Sequence, residues 1–347
     1  MRLRSPLLLS VLFVLAGVVL PAAQQLPRYV ERVEVSRILI DARAVDDFGR
    51  PIPGLTPPDF KVKIAGRVAR VESALWVGGA APEPRAEPSV LPSRPLLPDI
   101  AGPHAGRLIV FLFQKSMERS RIVGLMRMLQ DLQPLLGTLG PDDRVAVLLF
   151  EYHLDVWLDF TNDFDRVRQV LAHGILFEEP PPVEHASSLS LVAHLAPDIA
   201  RRTYSIEEAL HLVANGLAPL PGAKSVVLVG HGFGHLSLIG VVMENSYGEA
   251  SRALQAARAS VFCLDVTDAD YHSLEAGLQL VAEDTGGFYA RTHLFPQQAL
   301  NRLGGVLAGY YVLFCEMPEG VMPGTHEIEV ELARRKGNVL ARRSDAR

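Results

Sequence analysis

Between residues 106 and 309 the sequence alternates short apolar runs with segments of helical periodicity. Residues 108–113 are all apolar (LIVFLF), and the runs at 226–229 (VVLV) and 261–264 (VFCL) are of the same kind. Between them, apolar side chains recur every three or four positions, which predicts helices. A strand that is apolar on both faces is typical of a parallel sheet covered by helices on both sides. We therefore predict an α/β fold with a doubly wound, mainly parallel sheet.

The segments on either side of this block have a β pattern. Polar and apolar residues alternate at 60–64 (FKVKI) and at 326–332 (HEIEVEL), which predicts antiparallel strands. Because an isolated hairpin is only marginally stable, we expect residues 310–345 to complete a small β-sandwich begun in residues 28–77. The α/β domain, residues 106–309, is then an insertion between two halves of the sandwich. Residues 78–105 carry seven prolines and are predicted to form a linker.

The first 23 residues have the composition of an export signal. Arg2 and Arg4 precede an apolar run at 7–20, and Ala22 and Ala23 offer small residues for cleavage. A membrane anchor is the alternative, but an apolar run of about 14 residues is shorter than the span of about 20 that a bilayer requires. We expect a secreted or periplasmic protein with no membrane span after cleavage.

Charge and cysteine content narrow the classes of function. The formal net charge is −5, and no lysine- or arginine-rich block is present, so nothing in the sequence indicates nucleic acid binding. Cys263 and Cys315 each lie in an apolar, strand-like run, and two cysteines are too few for a zinc site. We predict two buried thiols with their Cα atoms more than about 7 Å apart. A disulfide is the alternative in an oxidising compartment.

Five stretches of the sequence together resemble a known family. They are residues 45–60 (VDDFGRPIPGLTPPDF), 158–163 (LDFTND), 217–229 (LAPLPGAKSVVLV), 310–313 (YYVL) and 328–343. This set is similar to the bacterial "VWFA-related" proteins, in which an exported N-terminal segment precedes a von Willebrand factor type A domain and a terminal β tail. The resemblance implies a site for a divalent cation at the carboxyl edge of the central sheet, with oxygen ligands.

The resemblance also assigns the five ligand positions of that site. The family has Asp-x-Ser-x-Ser after the first strand, a Thr in a second loop and an Asp after the fourth strand. Those positions here hold Gln114, Ser116, Glu118, Thr203 and His231. Magnesium requires carboxylate and hydroxyl oxygens, and Glu118 is the one carboxylate among the five. We therefore expect a degenerate site, with no bound metal and no cofactor.

Two of these residues have other interpretations. Thr203 stands just before a predicted helix, where a local hydrogen bond to the backbone is common. His231 suits a transition metal better than magnesium. Its loop, residues 230–234 (GHGFG), lacks the serine of a nucleophile elbow and the spacing of a dinucleotide-binding loop, so we interpret it as a flexible loop.

An acidic cluster follows the apolar, strand-like run at 261–264. Asp265, Asp268 and Asp270 suggest either a weak calcium loop or a solvated turn at the end of a strand. The glutamate that completes an EF-hand loop is missing from its position, and this favours the turn.

No complete catalytic constellation accompanies these features. We expect a non-enzymatic protein-interaction or adhesion module of the bacterial cell envelope, with a protein partner in the envelope or the extracellular matrix. Ligands of α/β sheets bind at the loops beyond the carboxyl ends of the strands. We call Gln114, Ser116, Glu118, Thr203 and His231 the rim residues and predict that they form the binding surface.

Two alternatives to this function stay open. One is an exported metal-dependent hydrolase or metalloenzyme that uses Glu118 and His231, which needs at least three metal-binding side chains at one point. The other is a structural role in a larger envelope assembly, through pairing of edge strands.

Overall fold

The computed structural model describes residues 36–78, 106–183, 189–238, 240–322 and 324–345. The predicted export signal and almost all of the predicted linker lie outside the described residues. Within the described ranges, no helix is both long enough and apolar enough to cross a membrane.

Strands predominate at both ends of the described chain, and strands and helices alternate in the middle. The N-terminal strands are β1 (Arg37–Val45), β2 (Phe60–Ile64) and β3 (Arg67–Gly78). The middle of the chain contains, in order, β4 (Leu108–Gln114), α1 (Arg119–Asp131), α2 (Gln133–Leu136), β5 (Arg144–Phe150), β6 (Leu154–Thr161), α3 (Phe164–Gln169), α4 (Ile175–Phe177), α5 (Pro197–Ala200), α6 (Ile206–Leu217), β7 (Lys224–Gly230), β8 (His235–Ser237), β9 (Gly240–Val242), α7 (Tyr247–Ala256), β10 (Ala259–Asp265), α8 (Glu275–Asp284), β11 (Tyr289–Arg291) and α9 (Pro296–Leu307). The C-terminal strands are β12 (Gly309–Glu316), β13 (His326–Leu332), β14 (Asn338–Ala341) and β15 (Ser344–Asp345).

The central sheet has six strands in the order β11-β10-β7-β4-β5-β6. Neighbouring strands are parallel except β5 and β6, which form an antiparallel hairpin. The first strand of this sheet, β4, lies beside the fourth, β7, so the strand order reverses between them, as in a doubly wound sheet. The predicted α/β fold with a mainly parallel sheet is confirmed.

The apolar strands are buried on both faces of this sheet. On β4, the side chains of Val110 and Leu112 belong to one core, and those of Ile109, Phe111 and Phe113 belong to the other. Helices α6, α7 and α8 cover the first core, while α1, α3 and α9 cover the second. This double coverage explains why residues 108–113 contain no polar position.

The N-terminal and C-terminal strands form one antiparallel sheet. β12 lies between β1 and β3, β13 pairs with β2, and β14 pairs with β1. The predicted pairing of the two ends of the chain is therefore correct, but the predicted sandwich is wrong. β15 follows β14 after two residues and pairs with β13, at the opposite end of the strand order, so the sheet curls and nearly closes. One interior core fills it, and this arrangement leaves little unpaired strand edge.

A buried arginine joins the two sheets. Arg43, on β1, is only 2% exposed, and its guanidinium donates hydrogen bonds to the hydroxyls of Ser260 (2.8 Å) and Ser225 (3.2 Å). The same group stacks over the rings of Phe262 and Tyr310. Burial lowers the pKa of Arg43. Ser225 and Ser260 lie at the starts of β7 and β10, so the antiparallel sheet covers the amino edge of the parallel sheet.

A second contact at this joint is an ion pair. Both carboxylate oxygens of Asp41, on β1, accept hydrogen bonds from the guanidinium of Arg258, at 2.8 and 2.6 Å. Arg258 lies between α7 and β10 and has a positive φ of 54°. The paired charges are largely shielded from water, so screening by salt weakens this contact less than it weakens a surface ion pair.

Both cysteines are free and buried, as the sequence predicts. Cys263 lies on β10, in the core beneath α6 to α8, whereas Cys315 lies on β12, inside the curled antiparallel sheet. Burial raises the pKa of Cys315 to about 12, so this thiol stays protonated at physiological pH.

Lys224, at the amino edge of the parallel sheet, is buried, and the pH dependence of stability can test this burial. Its ammonium donates to the carbonyl oxygens of Leu220 and Ala257, and burial, together with the charge of Arg258, lowers its pKa from 10.5 to about 8. Between pH 8 and pH 10.5, Lys224 is protonated in the unfolded chain but mostly neutral in the folded protein. Its contribution to the free energy of unfolding therefore increases as the pH rises.

We expect the free energy of unfolding of the wild type, relative to that of Lys224→Met, to rise by about 1 kcal/mol between pH 7.5 and 9. Urea unfolding of both proteins at a series of pH values measures this difference. A difference that is constant with pH would show that Lys224 keeps an ordinary pKa in the fold.

Candidate functional site

The carboxyl ends of five strands meet at one edge of the central sheet. β4, β5, β7, β10 and β11 are parallel, and the loops that follow them therefore leave the sheet at the same edge, opposite the joint with the antiparallel sheet. In doubly wound sheets, ligands bind in the crevice where the strand order reverses, which here is the gap between β4 and β7.

Gln114 occupies this crevice. Its side chain is buried at the end of β4, and its amide oxygen accepts hydrogen bonds from the backbone N–H groups of His231 (2.9 Å) and Gly232 (3.2 Å). A Cβ atom at Gly230 would lie only 2.7 Å from that oxygen, so the absence of a side chain there permits the contact. Gln114 therefore links β4 to the loop after β7, and its oxygen has two internal donors.

Ser116 and Glu118 lie just before α1, and Glu118 is its N-cap residue. The Ser116 hydroxyl oxygen accepts from the backbone N–H of Glu118 at 3.2 Å. The Glu118 carboxylate accepts from the Ser120 hydroxyl at 3.1 Å and forms an ion pair with Arg121 at 3.0 Å. The single carboxylate among the rim residues is thus already paired with a cation.

Thr203 is buried and makes local hydrogen bonds. Its hydroxyl donates to the carbonyl oxygen of Ala200 at 2.7 Å and accepts from the backbone N–H of Leu154 at 3.0 Å. These bonds attach the segment before α6 to the start of β6. These contacts agree with the interpretation of Thr203 as a residue that hydrogen-bonds to the nearby backbone.

His231 is a neutral, buried imidazole. Burial and the charge of Arg121 lower the pKa of His231 to about 3. Its Nδ1 atom is buried and has no hydrogen-bond partner within the described part of the chain. A histidine with this pKa is uncharged at neutral pH, so its ring adds no positive charge to the edge, and one of its two nitrogens carries the remaining proton.

The structure groups a different set of side chains at the next strand. Asp265 ends β10, His272 lies in the following loop and Glu275 begins α8, and one potential ligand atom of each lies within 4.8 Å of the others. We call these three residues the β10 cluster. Within the described residues it is the one group of three or more His, Cys, Asp or Glu side chains with this geometry, and it contains no rim residue.

The sequence pattern did not indicate the β10 cluster. It placed Asp265 in a turn with Asp268 and Asp270, but Asp270 is exposed and contacts His293 at 3.3 Å. Three features of the sequence could have indicated the cluster. They are an acidic residue at the end of a strand, a histidine after it and an acidic residue at the start of the next helix, all within ten positions.

Exposed apolar side chains are concentrated at the same edge. Of the 17 large apolar side chains that are exposed in the described residues, eight lie in the connections at this edge, including Leu236 on the short strand β8. One of them, Tyr204, follows Thr203, whose hydroxyl is bonded at the start of β6. The set, which we call the carboxyl-edge surface, comprises Met117, Tyr152, Tyr204, Leu236, Leu238, Tyr271, Leu294 and Phe295.

Comparison with known proteins gives weak similarities of fold. No protein-family model matches the chain, and no curated protein matches it. Structures similar to it include the conserved hypothetical protein BatB from Bacteroides thetaiotaomicron, with 15% identity and a TM-score of 0.38 over 57% of this chain and 97% of that chain. An aerotolerance-related membrane protein from Bacteroides fragilis has 16% identity and a TM-score of 0.37, over 57% and 98% of the two chains. A von Willebrand factor type A protein from Catenulispora acidiphila has 11% identity and a TM-score of 0.42, over 84% and 73%. Similarities at this level do not establish a family or an activity.

The role of Gln114 can be tested by removing its acceptor oxygen. Gln114→Met keeps the length of the side chain but leaves the N–H groups of His231 and Gly232 without an acceptor. An unsatisfied buried donor costs about 1–3 kcal/mol, so we expect the free energy of unfolding to fall by about 2 kcal/mol or more.

Chemical denaturation of wild type and variant measures the loss. The matched control is Met117→Ala, an exposed position three residues later, which we expect to change the free energy of unfolding by less than about 0.5 kcal/mol. Equal stability of Gln114→Met and the wild type would refute the proposed link between β4 and the loop after β7.

Proposed function

We propose that this chain is an exported, non-enzymatic module that binds a protein partner through the carboxyl-edge surface. The observation that carries the proposal is the concentration of exposed apolar side chains at the edge where ligands of doubly wound sheets bind. Where such side chains form one contiguous apolar patch, that patch is typical of a protein interaction site.

The composition of the surface favours a protein as the ligand. Tyr152, Tyr204 and Tyr271 are 71%, 79% and 70% exposed, and leucine, methionine and phenylalanine supply the rest. Tyrosine combines a large apolar ring with a polar hydroxyl, and aromatic residues and methionine are enriched at protein interfaces. When a partner buries such side chains, each Å² of apolar surface removed from water stabilises the complex by roughly 25 cal/mol.

The side chains in the crevice between β4 and β7 also favour binding over catalysis. The crevice holds the Gln114 amide, whose oxygen is hydrogen-bonded to two backbone N–H groups, and His231 beside it has its pKa lowered to about 3. Glu118, which the hydrolase alternative requires, is paired with Arg121. A general base near neutral pH needs a pKa near the operating pH, and His231 does not meet that condition.

The proposal includes a von Willebrand A-like domain inserted in the antiparallel sheet, and export to the cell envelope. The doubly wound sheet and the five sequence stretches that resemble the VWFA-related family support the first part. The composition of residues 1–23 supports the second. The mature protein is then secreted or periplasmic, and its partner lies in the envelope or the extracellular matrix.

Substitution of two exposed tyrosines tests the binding surface. We expect the double variant Tyr204→Ala/Tyr271→Ala to reduce the amount of partner captured from an envelope extract at least tenfold, because central aromatic anchors each contribute about 2 kcal/mol or more to binding. Added magnesium is expected to leave capture unchanged, since the contacts are apolar and Glu118 is already paired.

The matched control is Phe48→Ala. Phe48 is 77% exposed but follows β1 in the antiparallel sheet, away from the carboxyl edge. Quantitative capture on the immobilised full chain, with far-UV circular dichroism to verify folding, provides the measurement. Equal losses for the control and the double variant, or capture that requires magnesium, would contradict the proposal.

A further inference from the structure

We propose that the β10 cluster is a binding site for a divalent transition-metal ion and that the ion it prefers is Zn²⁺. The ligand atoms are Asp265 Oδ2, His272 Nε2 and a carboxylate oxygen of Glu275. This site lies one strand away from the crevice between β4 and β7, uses none of the rim residues, and revises the expectation of no metal that rested on those residues. It does not depend on the proposed partner binding.

The fold brings the three residues together from separate elements. Asp265 is the last residue of β10, and Glu275 is the first residue of α8. The connecting loop is anchored at its start, where the backbone N–H of Val266 donates to the carbonyl oxygen of Gly230, and it returns His272 to the end of the strand. The hydrogen bond between His272 Nε2 and Asp265 Oδ2, at 2.6 Å, is the contact that a metal ion would replace.

Neighbouring groups already orient the carboxylates. Asp265 Oδ1 accepts from the backbone N–H of Thr267 at 3.0 Å, which leaves Oδ2 directed at His272. Arg291 donates to both oxygens of Glu275, at 2.7 and 2.9 Å. The Tyr289 hydroxyl lies 2.8 Å from Asp265 Oδ2 and 3.2 Å from Glu275 Oε2. Metal ligands are commonly held by such outer contacts, which fix the direction of each ligand atom.

The spacing of the cluster requires only a small adjustment. Ligand atoms about 2.0–2.1 Å from a tetrahedral Zn²⁺ lie about 3.3 Å from one another. The Asp265–His272 separation of 2.6 Å must therefore open by under about 1 Å. His272 can supply that movement because it lies on a loop with its side chain 15% exposed, and this exposure also gives an ion a path from solvent.

The charge of the cluster favours a cation. Asp265 and Glu275 are both buried, and the one guanidinium in the group, that of Arg291, pairs with Glu275. With the His272 ring neutral, as a metal ligand must be, the two carboxylates carry one negative charge more than Arg291 balances, and a buried uncompensated charge is costly. A divalent ion bound at Asp265 Oδ2 and His272 Nε2 provides the missing positive charge.

Two buried polar atoms just after the carboxyl ends of β7 and β10 have no hydrogen-bond partner within the described residues. The hydroxyl of Thr267, two positions after Asp265, has no hydrogen-bond partner within the described residues. Nδ1 of His231, directly after the neighbouring strand β7, has none either. Buried polar groups are normally satisfied, so each of these atoms has capacity for one further hydrogen bond, to a water or to a bound ligand.

The ligand set selects among cations. Magnesium and calcium prefer six or more oxygen ligands, whereas one imidazole nitrogen and two carboxylates suit zinc. Three protein ligands leave at least one position for water, as in an open zinc site.

Calorimetric titration of ZnCl2 into the chelator-treated full chain tests the proposal. We expect one equivalent to bind with a dissociation constant in the micromolar range or tighter, and His272→Ala to weaken binding at least 30-fold. The matched control, His235→Ala, removes an exposed histidine that contacts Glu244 at 3.2 Å, and it should bind zinc as the wild type does. Co²⁺ provides a second readout, because its visible absorption reports a site of low coordination number.

Each outcome decides the proposal. Absence of stoichiometric zinc binding by the wild type would overturn it, and so would equal affinity of the wild type and His272→Ala. Thermal unfolding without metal shows whether His272→Ala still folds, and Glu275→Gln provides a second variant if it does not. Loss of zinc binding with partner capture retained separates this site from the carboxyl-edge surface.

Discussion

The buried guanidinium of Arg43 fixes how the two sheets of this protein meet. It places the outer face of β1 against Ser225 and Ser260 at the amino edge of the parallel sheet, and the ion pair between Asp41 and Arg258 reinforces the same joint. Because a buried charge tolerates little change in its partners, this joint defines one orientation of the sheets. The amino edge is thereby covered, and the carboxyl edge, where the loops carry exposed tyrosine and leucine, stays available for ligands.

Much of the fold could be predicted from local patterns. The run at 108–113 identified β4, because a strand buried on both faces has no polar position, and the alternation at 326–332 identified β13. The closing of the antiparallel sheet could not be predicted. It depends on β15, which pairs with β13 and has only two residues, too few to show the alternation that identifies a strand. The same sequence pattern is compatible with two stacked sheets or with one curled sheet.

The candidate site was less predictable than the fold. The role of Gln114 depends on backbone N–H groups more than a hundred residues away, at His231, and no residue type reveals which acceptor a main-chain donor will find. The β10 cluster was missed because its members end a strand, lie in a loop and begin a helix, so no single periodicity relates them. Asp265 is adjacent in sequence to the acidic loop that includes Asp270, and composition alone did not distinguish the buried carboxylate from the exposed one.

Site-specific photo-crosslinking in the producing cells tests the central claim, that the carboxyl edge is the binding face. A photoreactive phenylalanine analogue at position 204 or 271 should form an adduct with the partner, because these side chains are exposed at that edge. The same analogue at position 68, which is equally exposed but lies on β3 of the antiparallel sheet, should form none. Adducts formed from position 68 and not from 204 or 271 would show that the antiparallel sheet, not the carboxyl edge, binds the partner.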